Sequence, residues 1–478
     1  MKRVISSLMV AVAILTAPMI QAGNISVDQA KDAAAHFLQH RTSLTRITAD
    51  QLTLAHQWNN DNLGVASMYL FTAPTEGWII MAATTTMHPV VGYADDNVFD
   101  VDNMAPQLQW WLSGYNEIVC AMQNADAEKA LDDSPEWIEI SSHSLKGSKG
   151  YFALLKTKWD QGSYYGTDYN IFCPVLRDTV CPTGCVATAL AQICKYYEYP
   201  KCPVGSPIYW WQTGNARLKI NLDTVRPLDY SNMPNRITTN TPRDKKEEIS
   251  RLGYYIGLGV KMDYGTELSG TTSQEVPTAM SRYFKYNSST IVERKSTATF
   301  VSKVRGELKK NRPVYMHGSS SGGGAHSGGH AWVCDGYDNA DTNMFHMNWG
   351  WSGSGDGCYN LWTNNLSING GYNFNQGQGA IINLVPPQDS TSVQIGVQEV
   401  EPTAVLGMPY PNPAILSVAL PYSTREAVEL QVYNVSGCLV ESRLVQAGDG
   451  EVVLRVDALP AGMYIYRMGS AHGKFMVR

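Results

Sequence analysis

The sequence predicts an α+β fold in its central part and a small all-β sandwich at its carboxyl end. In the central part, helical patterns come first and short strands punctuated by glycine follow. From about Tyr410 to Arg478 the chain contains only strand and turn patterns. The length of 478 residues exceeds that of one ordinary domain, so we expect about three folded parts.

The first residues have the three parts of a secretory signal peptide. Lys2 and Arg3 precede an apolar run from about Val4 to Leu15, and small residues end at Ala22. The run is shorter than the roughly 20 residues that span a bilayer, which favours cleavage after about Ala22 over a retained anchor. We therefore assign residues 1–22 to a signal peptide and expect a secreted or surface-located chain with no integral membrane segment in its mature form.

Residues 23–149 are predicted to form an α+β prodomain. Val27–Leu38 and Pro106–Met122 have apolar residues at helical spacing, and Gly77–Ala82 is a short apolar strand. The segment ends in Ser141–Gly150, which is small, polar and carries two lysines. This linker is a favourable site for proteolytic processing.

Residues 150–385 hold every candidate catalytic residue. The predicted helices of this segment are Cys185–Tyr197, Arg243–Leu258 and Val301–Lys310. Its predicted strands are Pro313–Met316, Ala331–Cys334 and Met344–Asn348. A turn-rich linker is predicted over residues 386–405, and the sandwich over residues 406–478. Its predicted strands are Val428–Tyr433, Glu451–Val456 and Met463–Arg467.

Charge and cysteine content limit the possible functions. A net charge of −6 gives no reason to expect a nucleic-acid partner, since phosphate binding needs a concentrated basic face. The cysteine count of nine is odd, so at least one thiol has no intramolecular partner, and Cys185 is our candidate. Which other cysteines pair, and whether they are buried free thiols, stays open. No cofactor or metal is expected.

Cys185 is the predicted nucleophile. Amide hydrolysis by a thiol needs a thiolate, a base, a group that orients the base, and donors for the oxyanion. Cys185 follows Gly184 at the start of a predicted helix, where free N–H groups and the helix dipole lower a thiol pKa, with Thr183 as a possible cap. Taken alone, a cysteine in this position is more often structural, either a small buried thiol or half of a disulfide.

The other three roles have one candidate each. His330, in a glycine-rich run, can accept the thiol proton and return it to the leaving amine. The Asn348 amide oxygen can accept the other imidazole N–H, while Trp349 or Trp351 can shield that bond from water. The Gln161 side chain and the Cys185 backbone N–H can form a two-donor oxyanion hole.

The order Gln, Cys, His, Asn is that of papain-like proteases. Further motifs occur at Glu76–Ile80, Val91–Tyr93, Thr183–Ala189, Val260–Gly265, Gly329–Ala331, Asp335–Gly336, His346–Gly353 and Asp356–Gly357. Through these segments the chain resembles peptidase family C10, the streptopain-like cysteine proteases, over about Asn24–Val385, although Cys181 has no counterpart there.

The resemblance implies a secreted zymogen whose propeptide covers the active site until it is cleaved. It implies an endopeptidase that prefers hydrophobic residues two places before the scissile bond. It also gives Cys185, His330, Gln161, Asn348 and Trp349 the catalytic roles named above. The substrate cleft would be lined by Gly329 and by Gly270, Thr271 and Thr272 of the loop Thr266–Ser273.

The tail carries four short motifs, Pro411–Pro413, Val435–Gly437, Leu459–Tyr464 and Lys474–Arg478. In these motifs it resembles the C-terminal sorting domain of type IX secretion substrates of Gram-negative bacteria, which makes that secretion machinery an expected partner. An adhesive or spacer sandwich is the alternative for this domain.

Two other classes of protein compete with the peptidase. One is a catalytically silent binding or inhibitory protein on a peptidase fold. The other is a metal protein that uses Cys181, Cys185, His326 and His330, at spacings that zinc tolerates. A Cys181–Cys185 disulfide that silences the enzyme is a further hypothesis.

Overall fold

The structure is a computed structural model, and it divides the chain into two compact units, Met1–Ser390 and Thr391–Arg478. The predicted signal peptide and residues 146–149 of the predicted processing linker lie outside the described residues. In the part of the chain that the structure describes, no helix is long and apolar enough to cross a membrane. The structure describes residues 23–104, 106–129, 131–145, 150–162, 168–319, 329–341, 343–361, 378–387, 404–406, 409–424, 427–435, 439–469 and 471–478.

The amino-terminal part of the first unit is an antiparallel sheet between two helices. Along β3, Ile79 and Met81 pack against α1, while Trp78, Ile80 and Ala82 pack on the α2 side. This alternation follows from the two-residue period of a strand. The elements are α1 (Val27–Arg41), β1 (Thr53–Asn60), β2 (Val65–Thr72), β3 (Trp78–Ala82), β4 (Val90–Ala94), α2 (Pro106–Lys129) and α3 (Pro135–Ser141).

The second part of this unit continues from residue 150 and contains all the candidate catalytic residues. Its helices are α4 (Cys185–Tyr197), α5 (Arg243–Gly259), α6 (Glu275–Phe284) and α7 (Thr297–Leu308). Its strands are β5 (Tyr151–Ala153), β6 (Val175–Leu176), β7 (Thr179–Val180), β8 (Ile208–Trp211), β9 (Ala216–Lys219), β10 (Thr290–Glu293), β11 (Val314–Ser319), β12 (Gly329–Asp338), β13 (Met344–Asn348), β14 (Gly357–Asn360) and β15 (Gly379–Ile382).

The helices cover the two faces of the sheet unequally. Apolar residues of α4, α5 and α6 share one core with Ala331 and Val333 of β12. Residues of α7 share the opposite core with Trp332, the intervening residue of the same strand. Successive residues of β12 therefore face different cores, and this arrangement positions the residues of the candidate site.

Strands of both parts join into one sheet in the order β1-β2-β3-β4-β14-β13-β12-β11-β15-β10, with β5 paired to β12. At the junction, Tyr93 pairs with Cys358 and Gly92 with Tyr359. A Cβ atom on Gly92 would lie 2.6 Å from the Tyr359 ring and 3.1 Å from the Cys358 carbonyl oxygen. A glycine at position 92 thus allows the two sheets to meet.

Polar contacts reinforce this junction. His88 Nε2 lies 2.8 Å from Asp341 Oδ2, and Lys158 Nζ lies 3.2 Å from Asp96 Oδ2. Tyr93 donates its hydroxyl proton to Asp338. Each contact joins residues 23–145 to the part that begins at residue 150.

The second unit is built from two antiparallel sheets, in the orders β16-β17-β20 and β19-β18-β21-β22. Leu420, Leu430 and Phe475 belong to its shared apolar core. The predicted α+β class with an all-β carboxyl end is confirmed, while the exact domain boundaries remain predictions. The strands are β16 (Ala404–Leu406), β17 (Ser417–Thr424), β18 (Val428–Asn434), β19 (Leu439–Val445), β20 (Gly448–Arg455), β21 (Gly462–Met468) and β22 (Ala471–Val477).

Replacing Gly92 by Ala should destabilise the first unit, because the added methyl group overlaps the Tyr359 ring. Overpacking of this kind costs about 1–3 kcal/mol of unfolding free energy, measurable by urea denaturation. Gly114→Ala is the matched control: a Cβ there meets nothing within 4 Å, and alanine favours α2 by up to about 1 kcal/mol. Equal destabilisation by the two substitutions would contradict the packing argument.

Candidate active site

The helix that carries Cys185 begins at that residue because Gly184 turns the chain. Gly184 has φ +88° and is the N-cap of α4. A Cβ atom there would lie 2.8 Å from the side chain of Met262 and from the Ser269 carbonyl oxygen. The possible cap considered from sequence, Thr183, instead donates its hydroxyl proton to the Tyr169 carbonyl (3.1 Å). The N-cap residue therefore contributes no side-chain cap to α4.

Backbone N–H groups surround the Cys185 sulfur. The N–H groups of Cys185, Val186 and Ala331 each favour its thiolate form. Burial acts in the opposite direction and is the larger influence, so the pKa of Cys185 lies above its usual value even though the residue keeps some exposure to solvent. The Ala331 contact brings the start of α4 against β12, beside His330.

His330 is held among aromatic side chains. Its ring is parallel to that of Trp332, with centroids 6.1 Å apart, and the Trp332 and Trp349 centroids are 5.3 Å apart. The backbone of Trp349 forms a hydrogen bond with the imidazole. Burial lowers the pKa of His330 to about 3, so the ring is neutral at physiological pH.

The structure brings the predicted nucleophile and base to neighbouring positions without a hydrogen bond between Cys185 and His330 Nε2. This nitrogen has no hydrogen-bond partner among the described residues. Ala331 packs in the core of α4, whereas the His330 ring stacks on Trp332, which packs in the other core. The full chain thus holds a neutral thiol at the start of α4 and a neutral imidazole on β12, next to the residue whose N–H contacts the sulfur.

Asn348 differs from its expected geometry. Its Oδ1 accepts hydrogen bonds from Gln192 Nε2 (2.8 Å) and Gly350 N (3.1 Å), and its Nδ2 donates to the Thr157 carbonyl (2.8 Å). The oxygen expected to face His330 is thus bound to Gln192, a buried amide on α4. The backbone of the next residue contacts the imidazole instead.

Trp349 is fixed through both its backbone and its ring. Its N–H donates to Asp356 Oδ1 (2.8 Å), and its ring lies between those of Trp332 and Tyr359, 5.3 Å and 5.4 Å away. Burial raises the pKa of Asp356 to about 7, against the opposing effect of the Trp349 N–H. The carboxyl group that binds the Trp349 N–H therefore changes its charge near pH 7.

Gln161 is tied by its backbone to the segment that precedes the nucleophile. Its carbonyl accepts from Thr183 N (2.7 Å), and its N–H donates to Asp160 Oδ1. Asp160 Oδ2 in turn accepts from Ser352 Oγ (2.9 Å). These contacts place Gln161 near the start of α4.

The four residues predicted to bind substrate flank the two reacting residues. Gly270 exchanges backbone hydrogen bonds with Asp263 (2.9 and 3.1 Å), and the neighbouring Ser269 carbonyl lies against Gly184. Thr271 Oγ1 donates to the Val260 carbonyl (2.7 Å), and Thr272 is exposed. Gly329 is exposed and immediately precedes His330.

Comparison with known families agrees with this arrangement, since residues 159–359 match the Peptidase C10 family. The chain carries a C10 peptidase domain. Residues 22–119 match the Spi protease inhibitor family, and residues 409–478 match a secretion system C-terminal sorting domain. The sorting domain indicates export by the type IX system to the cell surface or the extracellular space.

Named relatives span both the C10 domain and the segment before it. The thiol protease/hemagglutinin PrtT of Porphyromonas gingivalis is 28% identical over 97% of this chain and 51% of its own length. This chain therefore spans about half of that relative. Streptopain of Streptococcus pyogenes is 28% identical over 75% of this chain and 91% of its own length. The first of these two relatives is named as a thiol protease.

A solved structure shares the fold. The Prevotella intermedia prointerpain A fragment aligns with 71% of this chain and 99% of its own length, with a TM-score of 0.55 and 23% identity. Its likeness supports a shared fold over that part of the chain. The papain-like assignment of residues 150–385 is consistent with it.

The C10 domain contains free thiols and no assembled metal site among the described residues. Cys181 and Cys185 are both free, so the disulfide between them remains a hypothesis. His326, one ligand of the alternative zinc site, lies outside the described residues. Within the described part of the chain, no three His, Cys, Asp or Glu side chains are grouped to hold a metal ion.

Sequence reasoning missed the polar residues that support the site. Gln192 and Asp160 are buried and bind the segment containing Asn348 and Ser352. A polar residue inside the apolar run of α4 was the available signal for Gln192. The Asp356–Gly357 pair was noted as a motif, but its bond to the Trp349 backbone could not be inferred.

Replacing Asp356 by Asn should change how stability depends on pH. The folded pKa of about 7 exceeds the ordinary value of 3.8, so folding favours the protonated form. The unfolding free energy of the wild-type chain should therefore fall relative to that of Asp356→Asn as pH rises from about 4 to about 7. Above about pH 7 the difference between the two proteins should stay constant. Urea denaturation of both proteins across this range measures it. Parallel stability curves would contradict the assigned protonation state.

Proposed function

We propose that the chain is a secreted cysteine endopeptidase made as a zymogen, with Cys185 as nucleophile and His330 as general base and acid. The observation that carries this proposal is the contact between the start of α4 and β12. There the Cys185 sulfur faces the N–H group of Ala331, the residue after His330. The match to the C10 family and the thiol protease name of one relative agree with it.

The proposed reaction follows from these two side chains. The Cys185 thiol transfers its proton to His330, and the sulfur attacks the substrate carbonyl carbon. The protonated imidazole then gives the proton to the leaving amine as the C–N bond breaks, which leaves an acyl-enzyme. Water, deprotonated by His330, hydrolyses the thioester and regenerates the thiol.

The oxyanion is assigned to the Gln161 side chain and the Cys185 backbone N–H. The bond from Thr183 N to the Gln161 carbonyl holds Gln161 beside the chain that enters α4. Gly184 supplies no side-chain cap at this terminus, where the Cys185 N–H lies beside its own sulfur. Fixed donors of this kind stabilise the charge that develops on the carbonyl oxygen.

Asn348 and Trp349 are assigned to orienting and shielding the base. Trp349 acts directly, because its backbone binds the imidazole and its ring packs against Trp332, on which His330 stacks. Asn348 acts through its neighbour, since its side chain is bound to Gln192, Gly350 and Thr157.

Substrate is assigned to the cleft formed by Gly329 and by Gly270, Thr271 and Thr272. Leu268, in the same loop, is 74% exposed and immediately precedes Ser269, which lies against Gly184. An exposed apolar side chain beside the nucleophile supports the expected preference for a hydrophobic residue two places before the scissile bond.

The prodomain is assigned as an intramolecular inhibitor. Its strand β4 extends the peptidase sheet at β14, and its Trp78 and Trp111 pack on Tyr359, which contacts Trp349. No residue of 23–145 belongs to the described apolar core around Cys185. The ring contacts of the prodomain therefore reach His330 through Tyr359 and Trp349. The neutral Cys185 thiol and the neutral His330 imidazole fit a latent precursor.

Export through the type IX machinery is assigned to the tail.

Replacing Cys185 by Ala should abolish maturation and activity. In reductant, the wild-type zymogen should cleave itself near residues 146–150, and the variant should stay intact with a turnover rate lower by a factor on the order of 10⁴ or more. Mass spectrometry of the products and a peptide substrate measure the two effects. Cleavage by the variant would exclude Cys185 as the nucleophile, and an inert wild type that binds peptides would favour the silent binding protein.

Replacing Gln161 by Ala should lower kcat by about 100- to 1,000-fold with a small change in KM, because an oxyanion donor acts mainly in the transition state. Steady-state kinetics of the mature enzyme measure both constants. Gln212→Ala is the matched control, since Gln212 is exposed in the turn between β8 and β9. Equal kinetics in the two variants would remove Gln161 from the oxyanion hole.

A further inference from the structure

Gln192 lies on the same helix as the nucleophile and is fully buried, with 0% exposure. It follows Cys185 by seven residues, which is two turns, so both side chains leave α4 on nearly the same face. A neutral amide at such a position loses its contacts with water and needs internal partners. Its partners show what it does.

Three described groups share the Gln192 amide. Its Oε1 accepts from Thr157 Oγ1 (2.8 Å) and from Trp159 N (3.3 Å), and its Nε2 donates to Asn348 Oδ1 (2.8 Å). Asn348 Nδ2 donates in turn to the Thr157 carbonyl (2.8 Å). The bonds form a closed ring that joins α4, the segment before residue 160, and the end of β13.

This ring fixes the residues on both sides of Trp349. Asn348 precedes it, and Gly350, whose N–H donates to Asn348 Oδ1, follows it. A Cβ on Gly350 would lie 3.2 Å from Thr188 and 3.9 Å from Gln192 Nε2, so the turn packs directly on α4. Since the Trp349 backbone binds the imidazole, a shift of this turn would move His330.

We propose that Gln192 is a positioning residue that sets the place of His330 relative to Cys185. It ties the helix carrying the nucleophile to the turn that holds the base, and it acts through Asn348 and the Trp349 backbone. The proposal rests on the proposed function, because it assigns Gln192 to the chemistry of the same pair. In this proposal the partner of the Asn348 side-chain oxygen is Gln192 and not the His330 imidazole.

Two substitutions separate the contacts of this amide. Gln192→Met keeps the length of the side chain and removes every hydrogen bond. Gln192→Glu, when ionised, keeps the acceptor for Thr157 and Trp159 but places a charged oxygen opposite Asn348 Oδ1, so at a pH above the pKa of the new carboxyl group it breaks mainly the link to the turn. Ile193→Val is the control, because Ile193 is also fully buried on α4 and contributes only apolar packing.

The full chain of each variant is processed by added wild-type enzyme, and kcat, KM and thermal stability are then measured. Both Gln192 variants should lose about 100-fold in kcat, which is the effect of misplacing a catalytic group by about 1 Å, with KM within about threefold. Ile193→Val should keep kcat within about twofold. Loss of stability without loss of kcat would overturn the proposal.

The pH dependence of Cys185 alkylation by iodoacetamide tests positioning directly. When His330 is in place, it takes the thiol proton, so alkylation proceeds at low pH. In both Gln192 variants the midpoint of the rate profile should move to higher pH, toward that of an isolated thiol, while Ile193→Val keeps the wild-type midpoint. A merely structural role would leave the midpoint unchanged, and that result would overturn the proposal.

A double-substitution cycle identifies the route. If Gln192 acts through Asn348, Gln192→Met combined with Asn348→Ala should lower kcat no further than the more damaging single change. Additive losses would overturn the route. If neither Gln192 variant folds, Gln192 serves stability and the proposal fails. Activity retained by Cys185→Ala would instead refute the proposed function, so the two failures are distinct.

Discussion

The pairing of β4 with β14 is the constraint on which the first unit depends. Two residue pairs, Tyr93 with Cys358 and Gly92 with Tyr359, turn two smaller sheets into one. Behind β14 lie β13 and β12, which carry Asn348 and His330. Every candidate catalytic group on the sheet is therefore within a few strands of the amino-terminal part.

Hydrogen-bonded polar groups behind the candidate site position its reacting residues. Asp160, Gln192 and Asp356 each bind a residue between positions 348 and 352, and each is buried. Such groups are stabilising only when their partners are present, so their geometry is sharply defined. By contrast, His330 Nε2 has no hydrogen-bond partner among the described residues.

Local sequence patterns predict which residues belong to the candidate site and on which helix or strand they lie. They do not predict the hydrogen-bond or strand-pairing partners of these residues. The Gly-Cys step predicted the start of α4, and alternation predicted the strand of Ala331 and Trp332, because both depend on near neighbours in sequence. The sheet junction joins residues more than 250 positions apart and has no local signal. Asn348 and Gln192 can each donate and accept, so only the packed structure decides that they bind one another rather than His330.

The junction at β14 also determines what a cut in the linker achieves. Breaking the chain near residue 150 removes no hydrogen bond between β4 and β14 and no ring contact around Tyr359. It only replaces a tethered neighbour, held at high effective concentration, by a separate fragment that can diffuse away. Release then becomes a dissociation equilibrium, so dilution outside the cell would favour free enzyme, whereas crowding at the site of synthesis would keep the two pieces together.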